Sequence, residues 1–310
     1  STVANVIGIF HRPSYLGPLI ESMRPHQWAK NALVLVPAVL AGRIFDVLAV
    51  WQLIVSFIAL SLIASATYIL NDIWDVADDR RHWSKRNRPL ASGRLPMAVG
   101  FAAVPIGLAA GFALGAVAGP KVVLMLACYT VLTLFYSFYV KRVVLLDALT
   151  LALLFTLRLA VGTVAVAAKA SPWLFVFSIF LFTSLALAKR HTEIARAIER
   201  GTARINGRGY FAADLPLVLA AGVAAGTSAL LVLVFYIIND AFQQTFYGDV
   251  AWLWGFPVAL SIIVGRIWVA CQRGELQDDP VVFALTDRLA LAAGSGLSVC
   301  FVLAWAGLAA

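Results

Sequence analysis

Apolar residues in this chain fall into long segments that are separated by short polar connections. Segments such as 102–118, 122–140, 145–166 and 215–238 contain few or no charged side chains. A helix of roughly 20 apolar residues crosses the roughly 30 Å hydrocarbon core of a bilayer. The pattern therefore predicts a polytopic, all-α integral membrane protein.

Nine transmembrane helices account for the apolar segments, and the first of them is short. The predicted spans are 32–42, 50–70, 97–118, 122–140, 144–166, 172–188, 215–238, 251–270 and 289–309. An odd number of spans places the two ends of the membrane domain on opposite sides of the bilayer. The polar connections then alternate between the two faces.

Composition and charge agree with this topology. Of the 310 residues, 62% are hydrophobic and 13% are charged. By this span assignment, 20 of the 24 Lys and Arg residues lie on one set of alternate connections, counting Arg266 at the adjoining span end, and three lie on the other. Because Lys and Arg accumulate on the cytoplasmic side, we expect the N-terminus and the basic face to be cytoplasmic. The positive charge follows topology, and no soluble basic domain is left to bind nucleic acid.

The first residues differ from the rest of the chain. Residues 1–25 are interpreted as an N-terminal linker and residues 26–310 as the transmembrane domain. The linker contains Pro13, Gly17, Pro18 and Pro25 and lacks the pattern of a cleavable signal peptide. Because the chain begins with Ser1 and not Met, we expect this linker to come from a longer chain.

Three aspartates directly follow the second predicted span. Asp72, Asp75 and Asp79 are spaced i, i+3 and i+7, which places them on one face if the helix continues. Like charges this close repel each other and need a cation, and carboxylates with free coordination positions suit Mg²⁺. The alternative interpretation is a solvated helix end with surface carboxylates.

Cations come soon after these aspartates, at Lys85, Arg86 and Arg88. Carboxylates for a metal beside cations for oxyanions favour a metal–diphosphate substrate. A further cation, Arg158, lies inside a predicted span, where a charge is costly without a partner. We expect Arg158 either to line a cavity or to form a structural pair.

Three stretches of the sequence resemble the UbiA superfamily of intramembrane prenyltransferases. They are Asn71-Asp72-x-x-Asp75-x-x-x-Asp79, then Lys85-Arg86-Asn87-Arg88-Pro89-Leu90 with Gly93, and Arg24-Pro25-x-Gln27-Trp28-x-Lys30-Asn31. The resemblance implies nine transmembrane helices around a central polar cavity that opens to the cytoplasm. It also implies Mg²⁺ on the three aspartates, group transfer from a diphosphate donor, and the inner (plasma) membrane of a bacterium.

The chain departs from most of that superfamily after the fourth span, where a second acidic cluster is usual. Asp147 is present, but Leu151 stands four residues later. Basic and aromatic residues stand in place of the acids, namely Tyr136, Tyr139, Lys141, Arg142, Lys189 and Arg190. This arrangement is similar to the branch of decaprenyl-phosphate phosphoribosyltransferases, as is the stretch 275–288.

That resemblance implies transfer of 5-phosphoribose from phosphoribosyl pyrophosphate (PRPP) to a polyprenyl phosphate lipid. The candidate catalytic residues are Asp72, Asp75, Asp79, Lys141, Lys189 and Arg190. The candidate substrate-binding residues are Lys30, Asn31, Asn71, Lys85, Arg86, Arg88, Tyr136 and Arg158. Some relatives carry a soluble phosphatase-like domain ahead of the membrane part, so we expect such a domain as a fused or separate partner.

Two other functions stay open. One is a prenyltransferase that moves a polyprenyl group from its diphosphate to an aromatic acceptor, against which stands the missing acid at Leu151. The other is a transporter, which would carry charges inside several spans or show inverted repeats. Here the charges concentrate at one set of span ends.

Overall fold

The computed structural model describes residues 15–81, 85–203, 205, 208–276 and 279–307, and these residues form a bundle of helices. The α-helices are α1 (Leu16–Met23), α2 (Val36–Leu40), α3 (Val47–Trp74), α4 (Val76–Arg81), α5 (Met97–Ala118), α6 (Pro120–Phe138), α7 (Leu146–Ala165), α8 (Pro172–Glu199), α9 (Leu215–Asn239), α10 (Gly255–Gln272), α11 (Pro280–Ala284) and α12 (Arg288–Ala306). Short 3-10 helices lie at Pro25–Leu35, Arg43–Phe45, Lys85–Asn87, Val140–Arg142, Ala212–Asp214, Ala241–Gln243 and Val250–Trp254. The prediction of an all-α membrane protein is confirmed.

Polar side chains fix where several of the long helices begin. Asp46 accepts hydrogen bonds from the backbone N–H groups of Leu48 and Ala49 at 3.0 and 3.3 Å, and α3 starts at the next residue. Ser171 and Asp287 cap α8 and α12 in the same way. Such acceptors satisfy backbone donors that have no partner inside the helix. The polar connections therefore set the ends of the apolar spans.

Eight helices in the described part of the chain are long and apolar enough to cross a membrane, whereas the sequence predicts nine. The predicted first span, 32–42, forms the end of the 3-10 helix Pro25–Leu35 and then α2. This segment runs beside α3, because Arg24 pairs with Asp72 at one end of α3 and the chain reaches the other end at Asp46. The 11 residues of the 3-10 helix and the five of α2 cover roughly 30 Å at rises of about 2.0 and 1.5 Å. The extended 3-10 backbone explains the short apolar signal, and the count of nine spans stays a prediction.

The helices α3 and α7 lie at the centre of the bundle, and α5 and α12 lie at its edge. In the apolar 18-residue stretch of each helix, 50% of α3 and 61% of α7 is buried inside the protein, against 17% of α5 and 11% of α12. Close packing is possible at Gly162 of α7, where a Cβ would lie 2.0 Å from the carbonyl oxygen of Val34. The segment Pro25–Leu35 therefore packs directly on α7, and its polar Asn31 reaches both α3 and α7.

The connection between α4 and α5 folds back onto α1. Arg94 donates two hydrogen bonds to the carboxylate of Glu21, at 2.7 and 2.8 Å. Leu90 and Leu95 are buried against apolar residues near the end of α3. These contacts hold the connection over the acidic end of α3, which brings Arg88 to the aspartates.

Helical structure begins before residue 26, since α1 covers Leu16–Met23 and packs on α3. Residues 1–14 of the predicted linker lie outside the described residues. The boundary between linker and membrane domain therefore stays a prediction, as does an attached soluble domain.

Candidate active site

The acidic end of α3 is neutralised by two arginines. Asp72 and Asp79 are buried, with 3% and 2% of their surface exposed. Nη1 of Arg88 donates to Asp72 Oδ1 at 3.0 Å and to Asp79 Oδ2 at 2.7 Å. Nη2 of Arg24 donates to the same oxygen of Asp72 at 2.6 Å. The two carboxylates therefore converge on one cationic nitrogen.

Asp75 points to a different cation. Its carboxylate accepts hydrogen bonds from Lys141 Nζ at 3.2 and 3.3 Å and from Asn71 Nδ2 at 3.1 Å. The condition for a shared face, that the helix continues, is met only in part, because α3 ends at Trp74 and a turn at Asp75 precedes α4. Two carboxylates share Arg88, and the third is drawn to Lys141.

A cavity of about 310 Å³ lies next to the aspartates, among α3, α6, α7 and α8. Six of its lining side chains are Lys or Arg and one is Asp. These charged residues are Arg24, Lys30, Arg158, Lys189, Arg190, Arg208 and Asp279. Arg24 also contacts Asp72, and the lining residue Asn71 contacts Asp75, so the cavity adjoins the acidic end of α3. Clefts lined by one sign of charge attract ligands of the other sign, and this cavity suits a ligand with several negative groups.

Arg190 is held in a buried ion pair. Its Nε donates to Asp147 Oδ2 at 2.6 Å, and its Nη1 donates to Glu193 Oε2 at 2.5 Å. Arg190 and Asp147 are 1% and 0% exposed. The phenol of Tyr210 also donates to Asp147, at 2.5 Å. Burial and this hydrogen bond raise the pKa of Tyr210 far above its usual value, so the phenol remains a donor to Asp147, whose carboxylate is also paired with Arg190.

Lys30 and Lys189 present ammonium groups to the same cavity. Lys30 Nζ lies 3.3 Å from Asp279 Oδ2. Burial alone would raise the pKa of Asp279, but the charge of Lys30, the N–H of Val281 and the charge of Lys189 together hold it below its usual value. Among the described residues, no carboxylate lies within ion-pair distance of Lys189. Its charge is therefore available to a ligand.

Arg208 is a cavity residue that the sequence analysis did not select. Its Nη1 donates to the phenol of Tyr136 at 2.7 Å and lies 3.8 Å from Asp147 Oδ2. The connection between α8 and α9, which carries Arg208, packs closely against the residues before α7. At Gly209 there is no room for a side chain, because a Cβ would lie 2.0 Å from the carbonyl oxygen of Arg142. In the sequence, Arg208 is one of several arginines in a polar connection, and no spacing distinguishes it from the others.

The remaining predicted cations divide into two groups. Lys85 and Arg86 are exposed on the connection after α4, whereas Arg88 reaches the aspartates. Although most of the Lys85 side chain is exposed, desolvation of its ammonium group and the nearby charge of Arg88 lower the pKa of Lys85. Arg158 lines the cavity, which is one of its two expected roles. It also donates a hydrogen bond to Asn31.

Asp72 and Asp79 fit a hard divalent cation in chemistry and in direction. Mg²⁺ prefers oxygen ligands and usually keeps waters or phosphate oxygens in its other positions. Both carboxylates already point at the site of Arg88 Nη1, whereas Asp75 is turned to Lys141. Among the described residues, no three His, Cys, Asp or Glu side chains are grouped to hold a metal. The donor set thus fits a metal held by two carboxylates, with substrate oxygens and water completing its shell.

Replacing Lys189 by Met should weaken binding of an anionic substrate without changing folding. The variant keeps the apolar stem and removes only the charge. A hydrogen bond to a charged group contributes about 1.5–3 kcal/mol, so the dissociation constant should rise by about tenfold or more. Equilibrium binding and thermal unfolding of the purified protein measure the two effects separately.

The matched control for Lys189 is Arg200→Met at the end of the same helix, where the side chain is exposed. Arg196 on the same helix and Arg204 in the following connection are less suitable controls. Arg196 donates to the carbonyl oxygen of Leu276 at 3.2 Å, and Arg204 lies outside the described residues. Equal losses in Lys189→Met and Arg200→Met would mean that Lys189 is only a basic residue at a helix end.

Comparison with known proteins places this geometry in a family. The family model described as "UbiA prenyltransferase family" matches residues 32–292. The chain is 41% identical to protein y4nM of Sinorhizobium fredii, over 92% of this chain and 55% of that protein. It is 31% identical to the nodulation protein NoeC of Azorhizobium caulinodans, over 91% of each chain. It is 29% identical to decaprenyl-phosphate phosphoribosyltransferase of Mycobacterium tuberculosis, over 87% of this chain and 88% of that enzyme. The chain thus spans little more than half the length of y4nM.

Solved structures share the helical arrangement at low sequence identity. A digeranylgeranylglyceryl phosphate synthase superposes with a TM-score of 0.66 at 14% identity, covering 94% of this chain and 99% of that one. A UbiA homolog from Archaeoglobus fulgidus, solved with GPP and Mg²⁺, superposes with a TM-score of 0.61 at 12% identity over the same shares. At this identity the likeness concerns the fold alone.

Proposed function

This chain belongs to the UbiA prenyltransferase family of membrane transferases, and we propose that it transfers 5-phosphoribose from PRPP to a polyprenyl phosphate. The products are diphosphate and a lipid-linked phosphoribose. The relatives named decaprenyl-phosphate phosphoribosyltransferase support this substrate pair. The stronger support comes from the charge of the cavity.

The single observation that carries the proposal is the basic lining of the cavity beside the acidic end of α3. Six Lys or Arg side chains and one Asp line it. Asp147, the one acid present where most of the superfamily has a second acidic cluster, is paired with Arg190. A prenyl diphosphate brings one diphosphate group to an enzyme. PRPP and polyprenyl phosphate together bring a diphosphate and two phosphate monoesters. The larger negative charge matches the lining better.

The proposed reaction is a displacement at the anomeric carbon of the ribose. A phosphate oxygen of the lipid forms the new C–O bond, and the old C–O bond breaks with its electron pair leaving on the diphosphate. The lipid phosphate is already ionised, so no strong general base is needed. Lys189 and Lys30 hold anionic groups of the substrates, and Arg208 and Arg190 border the same space. Positioning of the two reactants supplies much of the acceleration.

Asp72 and Asp79 are the residues that would hold Mg²⁺, and Asp75 would join them after release from Lys141. A bound divalent cation neutralises charge that builds up on the leaving diphosphate. Arg24 and Arg88, which pair with these carboxylates, would contact phosphate oxygens of the substrate once a metal took their place on the aspartates. Arginine suits that role because its fork matches phosphate geometry.

Turnover should require a divalent cation and should favour Mg²⁺ or Mn²⁺, since the ligands are hard oxygens. Activity is measured after exhaustive chelation and again after each metal is added back. We expect loss of activity on chelation and recovery with Mg²⁺ or Mn²⁺. Full activity in the chelated protein would show that turnover does not need a metal at these aspartates.

The proposed function is tested with purified protein, Mg²⁺, PRPP and polyprenyl phosphate. The assay measures released diphosphate and a lipid-linked phosphoribose. A parallel reaction contains polyprenyl diphosphate and 4-hydroxybenzoate, because the family description favours prenyl transfer as the alternative. Product only in the parallel reaction would replace phosphoribosyl transfer by prenyl transfer.

The protein is a multi-pass membrane protein, and we place it in the bacterial inner membrane with its N-terminus and active site on the cytoplasmic side. The distribution of Lys and Arg supports this orientation. A phosphatase-like domain, fused or separate, remains our proposed partner.

A further inference from the structure

Arg158 is a buried charge whose direct partners are all neutral. The residue is 5% exposed and lies within α7. Its Nε donates to Asn31 Oδ1 at 2.9 Å, its Nη1 to the carbonyl oxygen of Leu154 at 2.7 Å, and its Nη2 to the phenol oxygen of Tyr129 at 3.0 Å. No carboxylate lies within ion-pair distance of it in the part of the chain that the structure describes. A charge at membrane depth without a counter-ion is costly and usually functional.

The guanidinium of this cavity-lining residue retains hydrogen-bonding capacity. Arginine has five N–H donors, and three of them are used by Asn31, Leu154 and Tyr129. Two donors remain, one on each terminal nitrogen, and Arg158 lines the cavity. Two adjacent donors of this kind are the arrangement that binds phosphate in a bidentate manner.

A hydroxyl group that lines the same cavity also has spare hydrogen-bonding capacity. Thr133 Oγ1 is buried and makes no hydrogen bond of ordinary length and angle to a described residue, and the phenol of Tyr129 is close enough to interact with it. Thr133 lines the same cavity and stands four residues after Tyr129 on α6, so both side chains lie on one face of that helix. Buried hydroxyls are nearly always hydrogen-bonded in folded proteins. Arg158 and Thr133 therefore both line this cavity with hydrogen-bonding capacity that the protein leaves unused.

We propose that Arg158 and Thr133 form a second anion subsite, which holds a phosphate monoester. The inference rests on the proposed function and assigns one of its phosphate groups to a place. The hydrogen bond to Leu154 draws the guanidinium one turn toward the start of α7, about 10 Å below the level of Asp147 at 1.5 Å per residue. Arg158 therefore lies further along α7 than the ion pair of Asp147 with Arg190, and none of its hydrogen bonds reaches Asp72, Asp75 or Asp79. The ligand is either the 5-phosphate of the donor or the phosphate of the lipid.

Stacking supplies the simpler explanation of Arg158. Its guanidinium lies 5.0 Å from the ring centroids of Tyr129 and Phe155, and such contacts stabilise a buried cation. If stacking were the whole role, the two unused donors and the hydroxyl of Thr133 would have no effect on ligand binding. Binding measurements on variants separate the two roles.

The test uses the whole chain in lipid nanodiscs and measures equilibrium binding of PRPP, ribose 5-phosphate and polyprenyl phosphate. The variants are Arg158→Gln, Arg158→Lys and Thr133→Val. The control is Thr227→Val, an exposed threonine of α9 that bonds only within its own helix. We expect Arg158→Gln and Thr133→Val to raise the dissociation constant of either ribose 5-phosphate or polyprenyl phosphate by about tenfold or more. The dissociation constant of Arg158→Lys should lie between those of Arg158→Gln and wild type. The control should bind all three ligands as wild type does.

The identity of the weakened ligand distinguishes the source. A loss for ribose 5-phosphate assigns the subsite to the donor, and a loss for polyprenyl phosphate assigns it to the acceptor. If Arg158→Gln does not fold, Thr133→Val decides, because it removes one hydroxyl and keeps the side-chain shape. Unchanged binding of both monophosphates in the folded variants overturns the subsite while wild-type binding of PRPP leaves the proposed function intact. Failure of wild type to bind any of the three ligands overturns both.

Discussion

Asp72→Asn and Asp79→Asn should each lower turnover by at least about a hundredfold while the protein still folds. Each substitution keeps the side-chain shape and removes one of the two carboxylates that converge on Arg88 Nη1. A bound metal supplies several kcal/mol of charge stabilisation, and about 1.4 kcal/mol corresponds to a tenfold change in rate. Steady-state turnover at saturating substrate and Mg²⁺ measures the effect.

The matched control for these variants is Asp78→Asn, because Asp78 lies beside Asp79 on α4 but is exposed. It should retain wild-type turnover. Thermal unfolding accompanies each assay, since loss of Asp72 also leaves Arg24 and Arg88 with fewer partners. Near-normal turnover in folded Asp72→Asn and Asp79→Asn would show that these carboxylates serve only to hold the arginines.

Arg190→Ala should destabilise the protein by about 3–5 kcal/mol, because it leaves Asp147 buried without its main counter-ion. Asp147 is completely buried, and Arg190 Nε lies 2.6 Å from it. Arg208, at 3.8 Å, is too distant to take over that contact without moving. The measurement is the free energy of unfolding in detergent, with the exposed Arg200→Ala as control.

A double variant tests the reason for that loss. Asp147→Asn combined with Arg190→Met removes both fully buried charges and should recover part of the stability. The recovery is partial because Glu193, 31% exposed, also loses its bond from Arg190. If Arg190→Ala unfolds like wild type and loses only substrate affinity, Arg190 acts as a substrate ligand and not as the structural partner of Asp147.

The fold class followed from the sequence because long apolar segments have few structural solutions in a membrane. The eight long helices agree with predicted spans two to nine. The segment Pro25–Leu35 differs, because its 3-10 backbone covers more length per residue and so needs fewer apolar residues. Hydropathy alone carries no information about that backbone.

The candidate site was only partly predictable. Local spacing identified Asp72, Asp75 and Asp79 as one acidic group, yet the bend at Asp75 and the position of Lys141, 66 residues later, decide which cation each carboxylate meets. The pairing of Arg190 with Asp147 crosses 43 residues. Contacts at such separations depend on how α6, α7 and α8 pack. A single sequence does not specify that packing.

The most direct test of the central claim is a single reaction that follows both parts of the donor. PRPP carries ¹⁴C in its ribose and ³²P in its diphosphate, and the reaction contains polyprenyl phosphate, Mg²⁺ and the purified protein in nanodiscs. We expect ¹⁴C to appear in the lipid fraction in equal molar amount to ³²P released as free diphosphate, with no ³²P in the lipid. Absence of ¹⁴C from the lipid, in a preparation that forms a prenylated product from polyprenyl diphosphate and an aromatic acceptor, would contradict phosphoribosyl transfer.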